Sequence, residues 1–162
     1  MDRINKTETL YEILNSKTFT INVYQREYRW GRKQIEQLIN DITDCFLMYY
    51  ENSKFKHEDT DEVAQYGYYF MGSIIRTGDD STKEIVDGQQ RLTSLTLLLM
   101  YINKMLHDQG NHELDSMLPN MILSSPFGAK KTFNINVPER KVCMEHLYKG
   151  ETNFQPTDES SQ

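Results

Sequence analysis

The segment Leu92–Leu106 constrains the fold of this chain more than any other part of the sequence. Its main apolar residues recur every three or four positions, which is the spacing of one helical face: Leu92, Leu95, Leu99, Ile102 and Leu106. Further apolar residues widen this face to most of the circumference: Leu97, Leu98, Met100 and Met105. Such a helix is typical of a protein centre, and it is shorter than the about 20 residues that cross a bilayer.

A β-hairpin is predicted immediately before this helix. The residues of Tyr68–Arg76 are aromatic and β-branched, which favours a strand, and Gly72 within it marks a bulge or a close backbone approach. Gly78-Asp79-Asp80-Ser81 is typical of a turn, and Lys83–Asp87 returns as the partner strand. The sequence Gln109-Gly110-Asn111 ends the helix. We therefore expect a hairpin that leads into a long buried helix.

Shorter elements precede the hairpin. Thr9 with Glu12 predicts a capping box that opens a short helix, and Phe19–Val23 alternates like a half-buried strand. Gly31 begins a helix over Arg32–Tyr50 that carries one apolar stripe. A helix, a strand and a second helix are therefore expected before the hairpin.

The signals between and beyond these elements are weaker. Glu51–Gln65 is charged and has no periodicity, which indicates a surface loop. Glu113–Leu123 predicts a helix interrupted at Pro119, and Thr132–Val137 predicts a strand. Pro138 is well placed to begin a final helix, because proline is favoured at the first helical position.

This order of elements predicts an α/β (α+β) fold, with a small mixed sheet whose hairpin leads into the long helix and with flanking helices. Residues 1–150 are expected to form this domain, and residues 151–162 a polar tail or the start of a further region.

The net charge of −6 excludes a protein that binds polyanions without regard to their sequence. Cys45 and Cys143 belong to no Cys-x-x-Cys pair, so free thiols are expected. The polar N-terminal stretch lacks a signal peptide, so we expect a cytoplasmic protein without a membrane segment.

The residues Asp87-Gly88-Gln89-Gln90-Arg91 join the predicted strand to the central helix. Helix N-termini bind anions, because their first N–H groups lie outside the helical hydrogen bonds and carry about half a positive charge. Gly88 lets a phosphate approach the main chain, and Arg91 can bind its oxygens bidentately. The amides of Gln89 and Gln90 can bind a sugar, a base or a water. The alternative is an ordinary turn, with Arg91 in an internal ion pair.

A useful phosphate site needs more cations than this, because an exposed helix N-terminus contributes only about 0.3–1 kcal/mol. The segment Tyr24–Trp30 supplies Arg26 and Arg29 and interleaves them with aromatic rings: Tyr24, Tyr28 and Trp30. Arginine beside aromatic residues is expected where a phosphate and a stacked base are held together. The alternative is that Tyr28 and Trp30 are core residues.

The four histidines predict no metal site. They are scattered without ligand spacing: His57, His107, His112 and His146. His107 and His112 are separated across Gly110, so they share no helical face. Neither the histidines nor the cysteines are therefore expected to hold a metal, and no Ser-His-Asp arrangement is present.

Three motifs resemble those of one known family. They are Tyr24-Gln25-Arg26-x-Tyr28-x-Trp30, Tyr69-Phe70-Met71-Gly72-Ser73-Ile74 and Ile85-Val86-Asp87-Gly88-Gln89-Gln90-Arg91-Leu92-Thr93. In this order they are similar to the DGQQR-containing N-terminal domain of GmrSD-type, modification-dependent restriction endonucleases and related phage-defence proteins. The resemblance covers residues 8–106, and the two glutamine-arginine motifs in tandem are its most specific part.

The resemblance implies a ParB/sulfiredoxin-like fold whose equivalent loop binds a nucleoside triphosphate (NTP), which some members hydrolyse. By motif match, the nucleotide-binding residues are Gln25, Arg26, Asp87, Gly88, Gln89, Gln90 and Arg91. Asp87 would hold the loop, orient a water as the catalytic residue, or coordinate Mg²⁺. The proline that family members usually have near Asn22 is missing, which changes the backbone there but no side chain of the site.

The resemblance also implies that DNA is cut by a separate C-terminal HNH-type nuclease domain, through which the full-length protein acts on DNA. We therefore expect an NTP-binding or NTP-hydrolysing regulatory domain, with the nucleotide held between the Tyr24–Trp30 segment and the start of the long helix. In one alternative the same arginines bind a DNA phosphate, as a ParB-like module without nucleotide turnover. In another the chain is a structural interaction domain, with Arg26 and Arg91 in internal ion pairs.

Overall fold

The structure is a computed structural model and describes residues 6–22, 27–52, 60–78, 83–125 and 130–151. The chain divides into two compact units. The first, here called the sheet unit, comprises Met1–Glu27 and Ile74–Gln162. The second, here called the inserted unit, is the intervening segment Tyr28–Ser73. Within the described ranges, no helix is both long and apolar enough to cross a membrane.

Helices and strands are mixed along the chain, which confirms the expected α/β class. The helices are α1 (Leu10–Leu14), α2 (Arg32–Tyr50), α3 (Thr60–Val63), α4 (Gln89–Asp108), α5 (Leu118–Ile122) and α6 (Lys141–Tyr148), with a 3-10 turn at Pro138–Arg140. The strands are β1 (Phe19–Ile21), β2 (Ile75–Gly78), β3 (Lys83–Asp87), β4 (Leu123–Ser124), β5 (Thr132–Phe133) and β6 (Ile135–Asn136).

The main sheet of the sheet unit has the strand order β2-β3-β1-β6. Strands β2 and β3 form the predicted antiparallel hairpin, in which Gly78 lies opposite Lys83. Strand β1 pairs in parallel with β3 on one side and with β6 on the other, so that Phe19 lies opposite both Lys83 and Ile135. The sheet is therefore mixed, as expected, and β4 and β5 form a separate antiparallel pair.

Helix α4 contributes to both hydrophobic clusters of the sheet unit. The first cluster contains Leu14, Phe19, Ile85, Leu92, Met121, Ile135 and Val137. The second contains Met100, Ile122, Phe133 and Met144. Leu92 and Met100 are both fully buried, which confirms the prediction of a central helix. The predicted burial around most of the circumference is too broad, because Met105 is 40% exposed and Tyr101 is 58% exposed.

Only the end of the predicted strand Tyr68–Arg76 is a strand. Strand pairing begins at Ile75, and the structure has no strand over residues 68–74. Tyr68 and Phe70 are 87% and 78% exposed. Gly72 has a φ of 89°, in the left-handed region, which interrupts an extended backbone. Aromatic residues favour a strand only where a neighbouring strand offers hydrogen bonds and packing.

The inserted unit is built on α2, which covers the predicted range. Its apolar stripe is less buried than expected: Leu38 is buried, but three other members are at least one-third exposed, namely Ile39, Phe46 and Tyr49. The ring of Tyr66 packs on this helix, with its centroid 5.6 Å from that of Phe46 and 5.8 Å from that of Tyr49. The predicted loop Glu51–Gln65 contains the short helix α3, and its residues 53–59 lie outside the described ranges.

Several local predictions are confirmed and one is corrected. Thr9 forms the capping box of α1: its N–H donates to Glu12 Oε2 at 2.7 Å, and the Glu12 N–H donates to Thr9 Oγ1 at 3.2 Å. Cys45 and Cys143 are free.

Pro119 does not interrupt a helix but lies in the first turn of α5, where the N–H that proline lacks would have no helical acceptor. Predictions for Val23 and for residues 79–82 lie outside the described ranges.

Asn134 divides the predicted strand Thr132–Val137 into β5 and β6. Its side chain is fully buried, and its Nδ2 donates to the carbonyl oxygens of Leu14 at 2.7 Å and of Asn120 at 3.0 Å. Its own carbonyl oxygen accepts a hydrogen bond from the N–H of Phe19 at 2.6 Å. This one residue therefore connects the end of α1 and the helix α5 to the start of β1.

We expect Asn134→Ala to lower the free energy of unfolding by about 2 kcal/mol, because one buried and one partly buried carbonyl group lose a donor. Urea denaturation measures the loss. The control is Asn136→Ala, which removes an exposed side chain from the adjacent strand β6 and should change stability by less than about 0.5 kcal/mol. Equal stability of the two variants would contradict the role given to the Asn134 amide.

Candidate functional site

The start of α4 carries charged and amide side chains in sequence, namely Asp87, Gln89, Gln90 and Arg91. Strand β3 ends at Asp87, Gly88 turns the chain, and α4 begins at Gln89. Gly88 has φ 86° and ψ 7°, which is the left-handed conformation that residues with a Cβ adopt at a cost. The glycine therefore allows the strand to pass into the helix without an intervening loop.

The first intrahelical hydrogen bond of α4 runs from the N–H of Leu92 to the carbonyl oxygen of Gly88, at 3.0 Å. The N–H groups of Gln89, Gln90 and Arg91 precede this ladder and give the helix start its partial positive charge. Leu92 itself is fully buried in the first cluster, so the helix start is held by the core. A helix N-terminus in general favours an anion.

Gln90 connects this helix start to a distant part of the sequence. Its Nε2 donates to the backbone carbonyl oxygen of Glu27 at 2.8 Å. Glu27 directly follows Gln25-Arg26 in the chain, so the hydrogen bond anchors the residue next to the second glutamine-arginine motif. Tyr24, Gln25 and Arg26 themselves lie outside the described residues.

The loop residues differ in their exposure. Asp87 is exposed, and the four residues after it are half-buried: Gly88, Gln89, Gln90 and Arg91. A carboxylate is thus open to solvent, and to a cation, at the point where the helix start favours an anion. The five residues of the predicted loop are consecutive, so they lie together at the strand-to-helix turn. Tyr28 and Trp30, for which base stacking was predicted, are half-buried in the inserted unit.

Three buried hydroxyl groups in the first turns of α4 were not singled out from the sequence. Ser94 Oγ donates to the carbonyl oxygen of Gln90 at 2.8 Å, and Thr96 Oγ1 donates to that of Leu92 at 3.0 Å. Thr93 is 3% exposed, and its Oγ1 has no hydrogen-bond partner in the structure. The available signal was the occurrence of three hydroxyl residues within an otherwise apolar helical face.

A second group of polar side chains forms at the other end of α4. His107 lies in the last turn, and His112 and Asp115 follow the helix. The three residues lie with their ligand atoms within 4.8 Å of one another, although the two histidines share no helical face. Linear spacing gave no signal for this group, because a turn rather than a helical repeat brings the residues together.

Comparison with known proteins identifies a family. The family model described as "GmrSD restriction endonuclease, N-terminal domain" matches residues 10–160, almost the whole chain. This match confirms the family resemblance predicted on residues 8–106 from residue 10 onward and extends it over α5, β6 and α6. A search of curated proteins gave no match.

We expect Gly88→Ala to lower the free energy of unfolding by about 1–2 kcal/mol, because a left-handed conformation is unfavourable for alanine. The matched control is Gly110→Ala at the opposite end of the same helix, where φ is 70° and no atom lies within 4 Å of the added Cβ. Thermal or urea denaturation should give losses of similar size. An unchanged stability of Gly88→Ala would contradict the conformation described for the strand-to-helix turn.

Proposed function

From the premise that this chain belongs to the family of GmrSD restriction endonuclease N-terminal domains, we propose that it binds an NTP at the start of α4. Family membership gives the chain its role in DNA restriction. The nucleotide is the regulatory ligand in this proposal, and its phosphates lie at the Asp87–Arg91 loop. The observation that carries the proposal is the left-handed Gly88 between β3 and a helix start held by the core.

The backbone at this turn fits a phosphate group. A glycine in the left-handed region leaves no Cβ between the ligand and the main chain. The N–H groups of the first helical turn then point along the helix axis toward the same space. Because Leu92 is buried in the core, these donors are fixed before the ligand binds, which reduces the entropy lost on binding.

The hydrogen bond from Gln90 to Glu27 supports a site that uses both glutamine-arginine motifs. A triphosphate carries several negative charges, and one helix N-terminus offsets only a small part of them. In the proposal, Arg91 and Arg26 supply two guanidinium groups, which bind phosphate oxygens in a bidentate manner. Gln25 and Gln89 add amide donors, and Tyr24 stacks on the base.

Asp87 is the residue to which we assign the metal ion. Its carboxylate is exposed and directly precedes Gly88, so it suits a Mg²⁺ ion that keeps most of its waters and is shared with the phosphates. Such an ion would offset phosphate charge, which is favourable in a chain whose net charge is −6. Hydrolysis would require in addition that a water oriented by Asp87 lies in line with the terminal phosphate.

Isothermal titration of the chain with the common NTPs, with and without Mg²⁺, tests the proposal. We expect binding that is strengthened by Mg²⁺ and weakened about 10- to 100-fold by Arg91→Ala or Arg26→Ala, because a charge-assisted hydrogen bond contributes about 1.5–3 kcal/mol. Arg91→Lys keeps the charge but loses the bidentate geometry, so its affinity should be intermediate. Asp87→Asn should bind the NTP with a reduced effect of Mg²⁺.

Two matched variants control for charge and for stability. Arg32→Ala removes one positive charge from a side chain that is 90% exposed on α2, and it should bind the NTP like the wild type. Gly88→Ala and Gly110→Ala should lose similar stability, but only Gly88→Ala should lose affinity. A wild type that binds no NTP, or an Arg91→Ala variant that binds as well as the wild type, would overturn the site assignment.

Two other outcomes replace the proposal with a different function. DNA binding that falls steeply with added salt, depends on Arg26 and Arg91 and is unaffected by NTP would identify a DNA-phosphate-contacting module. Loss of stability in both arginine variants, with no ligand that raises the melting temperature, would identify a structural interaction domain.

A further inference from the structure

His107, His112 and Asp115 form a group of three metal-ligand side chains at the C-terminal end of α4. His107 Nε2 lies 3.0 Å from Asp115 Oδ1, and His112 Nδ1 lies 2.9 Å from Asp115 Oδ2. The imidazole rings meet edge to face, with their centroids 5.3 Å apart. In the described part of the chain, this is the one group of three His, Cys, Asp or Glu residues that could hold a metal ion.

The backbone turn after α4 brings these residues together. Gly110 has a φ of 70°, its N–H donates to the carbonyl oxygen of His107 at 2.9 Å, and the N–H of Asn111 donates to that of Leu106 at 2.9 Å. This pair of bonds is a Schellman motif, which reverses the chain direction at a helix end. Asn111 Oδ1 then accepts a hydrogen bond from the N–H of Glu113 at 3.0 Å and so fixes the next turn.

We propose that His107 Nε2, His112 Nδ1 and one carboxylate oxygen of Asp115 bind a divalent transition-metal ion of the Zn²⁺ type. Two imidazole nitrogens and a carboxylate oxygen are a ligand set that favours first-row transition metals over Mg²⁺ and Ca²⁺. Ligand atoms around a tetrahedral Zn²⁺ lie about 3.4 Å apart. The two observed His–Asp distances run to the two different oxygens of Asp115 and are a few tenths of an ångström shorter than this value, so the three side chains already lie within reach of one ion.

The position of the group suits a bound ion. The side chains of His107, His112 and Asp115 are 45%, 63% and 42% exposed, so an ion can enter and can keep a water as its fourth ligand. The carbonyl end of α4 adds a favourable potential for a cation. The three protein ligands come from the end of α4 and from the turn after it. The bound ion therefore cross-links the helix end to the segment between α4 and α5.

Titration of the untagged chain with Co²⁺, followed by competition with Zn²⁺, tests this site. We expect visible d–d absorption at one Co²⁺ per chain, which Zn²⁺ abolishes. His112→Ala and Asp115→Asn should lower the affinity by at least about 10- to 100-fold, since even outer-shell partners contribute that much. Zn²⁺ should also raise the melting temperature of the wild type but not that of these two variants.

The matched control is His146→Ala. His146 lies on α6, and its Nδ1 pairs with the carboxylate of Glu151 just after that helix. This variant should bind Co²⁺ and Zn²⁺ like the wild type. The proposal is overturned if the wild type binds neither ion, if His112→Ala or Asp115→Asn binds unchanged, or if His146→Ala loses binding. Thiolate-to-cobalt charge-transfer absorption would overturn it as well, because the cysteines would then hold the ion.

NTP titration of His112→Ala tests the metal site and the NTP site independently. This variant should bind NTP like the wild type, since the metal group lies at the opposite end of α4.

Discussion

The burial of one face of α4 is the constraint on which the rest of the sheet unit depends. Leu92 lies in the cluster that covers the sheet, and Met100 lies in the cluster formed with α5, β5 and α6. Both side chains are fully buried, so the helix cannot shift along its axis without opening a cavity in each cluster. The two ends of α4 are therefore fixed in space by the same packing.

Both candidate sites take their geometry from those fixed ends. At the N-terminal end, Gly88 joins β3 to the helix, so that Asp87 lies just before the turn and Arg91 in the first helical turn. At the C-terminal end, Gly110 reverses the chain and brings His112 toward His107. The helix dipole distinguishes them, because its positive end favours an anion and its negative end favours a cation. The proposed phosphate and metal sites thus follow the polarity of a single element.

Much of the local structure could be predicted because it depends on neighbouring residues. The Thr9–Glu12 capping box, the strand Lys83–Asp87 and the start of α2 after Gly31 all appear where hydrogen-bonding side chains, β-branched residues or glycine favour them. The strand expected at Tyr68–Arg76 was mostly wrong, because its residues favour extension but residues 68–74 pair with no strand. A strand needs a partner, and the sequence of one segment does not specify whether a partner is available.

The sequence by itself determined the strand–glycine–helix passage at Asp87–Arg91 and, through its motifs, the family of the chain. These features depend on periodicity, dihedral preference and residue order, which are local properties. Only the tertiary structure decided that Asn134 is buried between three elements, that Gln90 bonds to Glu27, and that two histidines meet Asp115. Such contacts join residues that are distant along the chain or lie across a turn, and they form only after the packing of α4 has fixed where each segment lies.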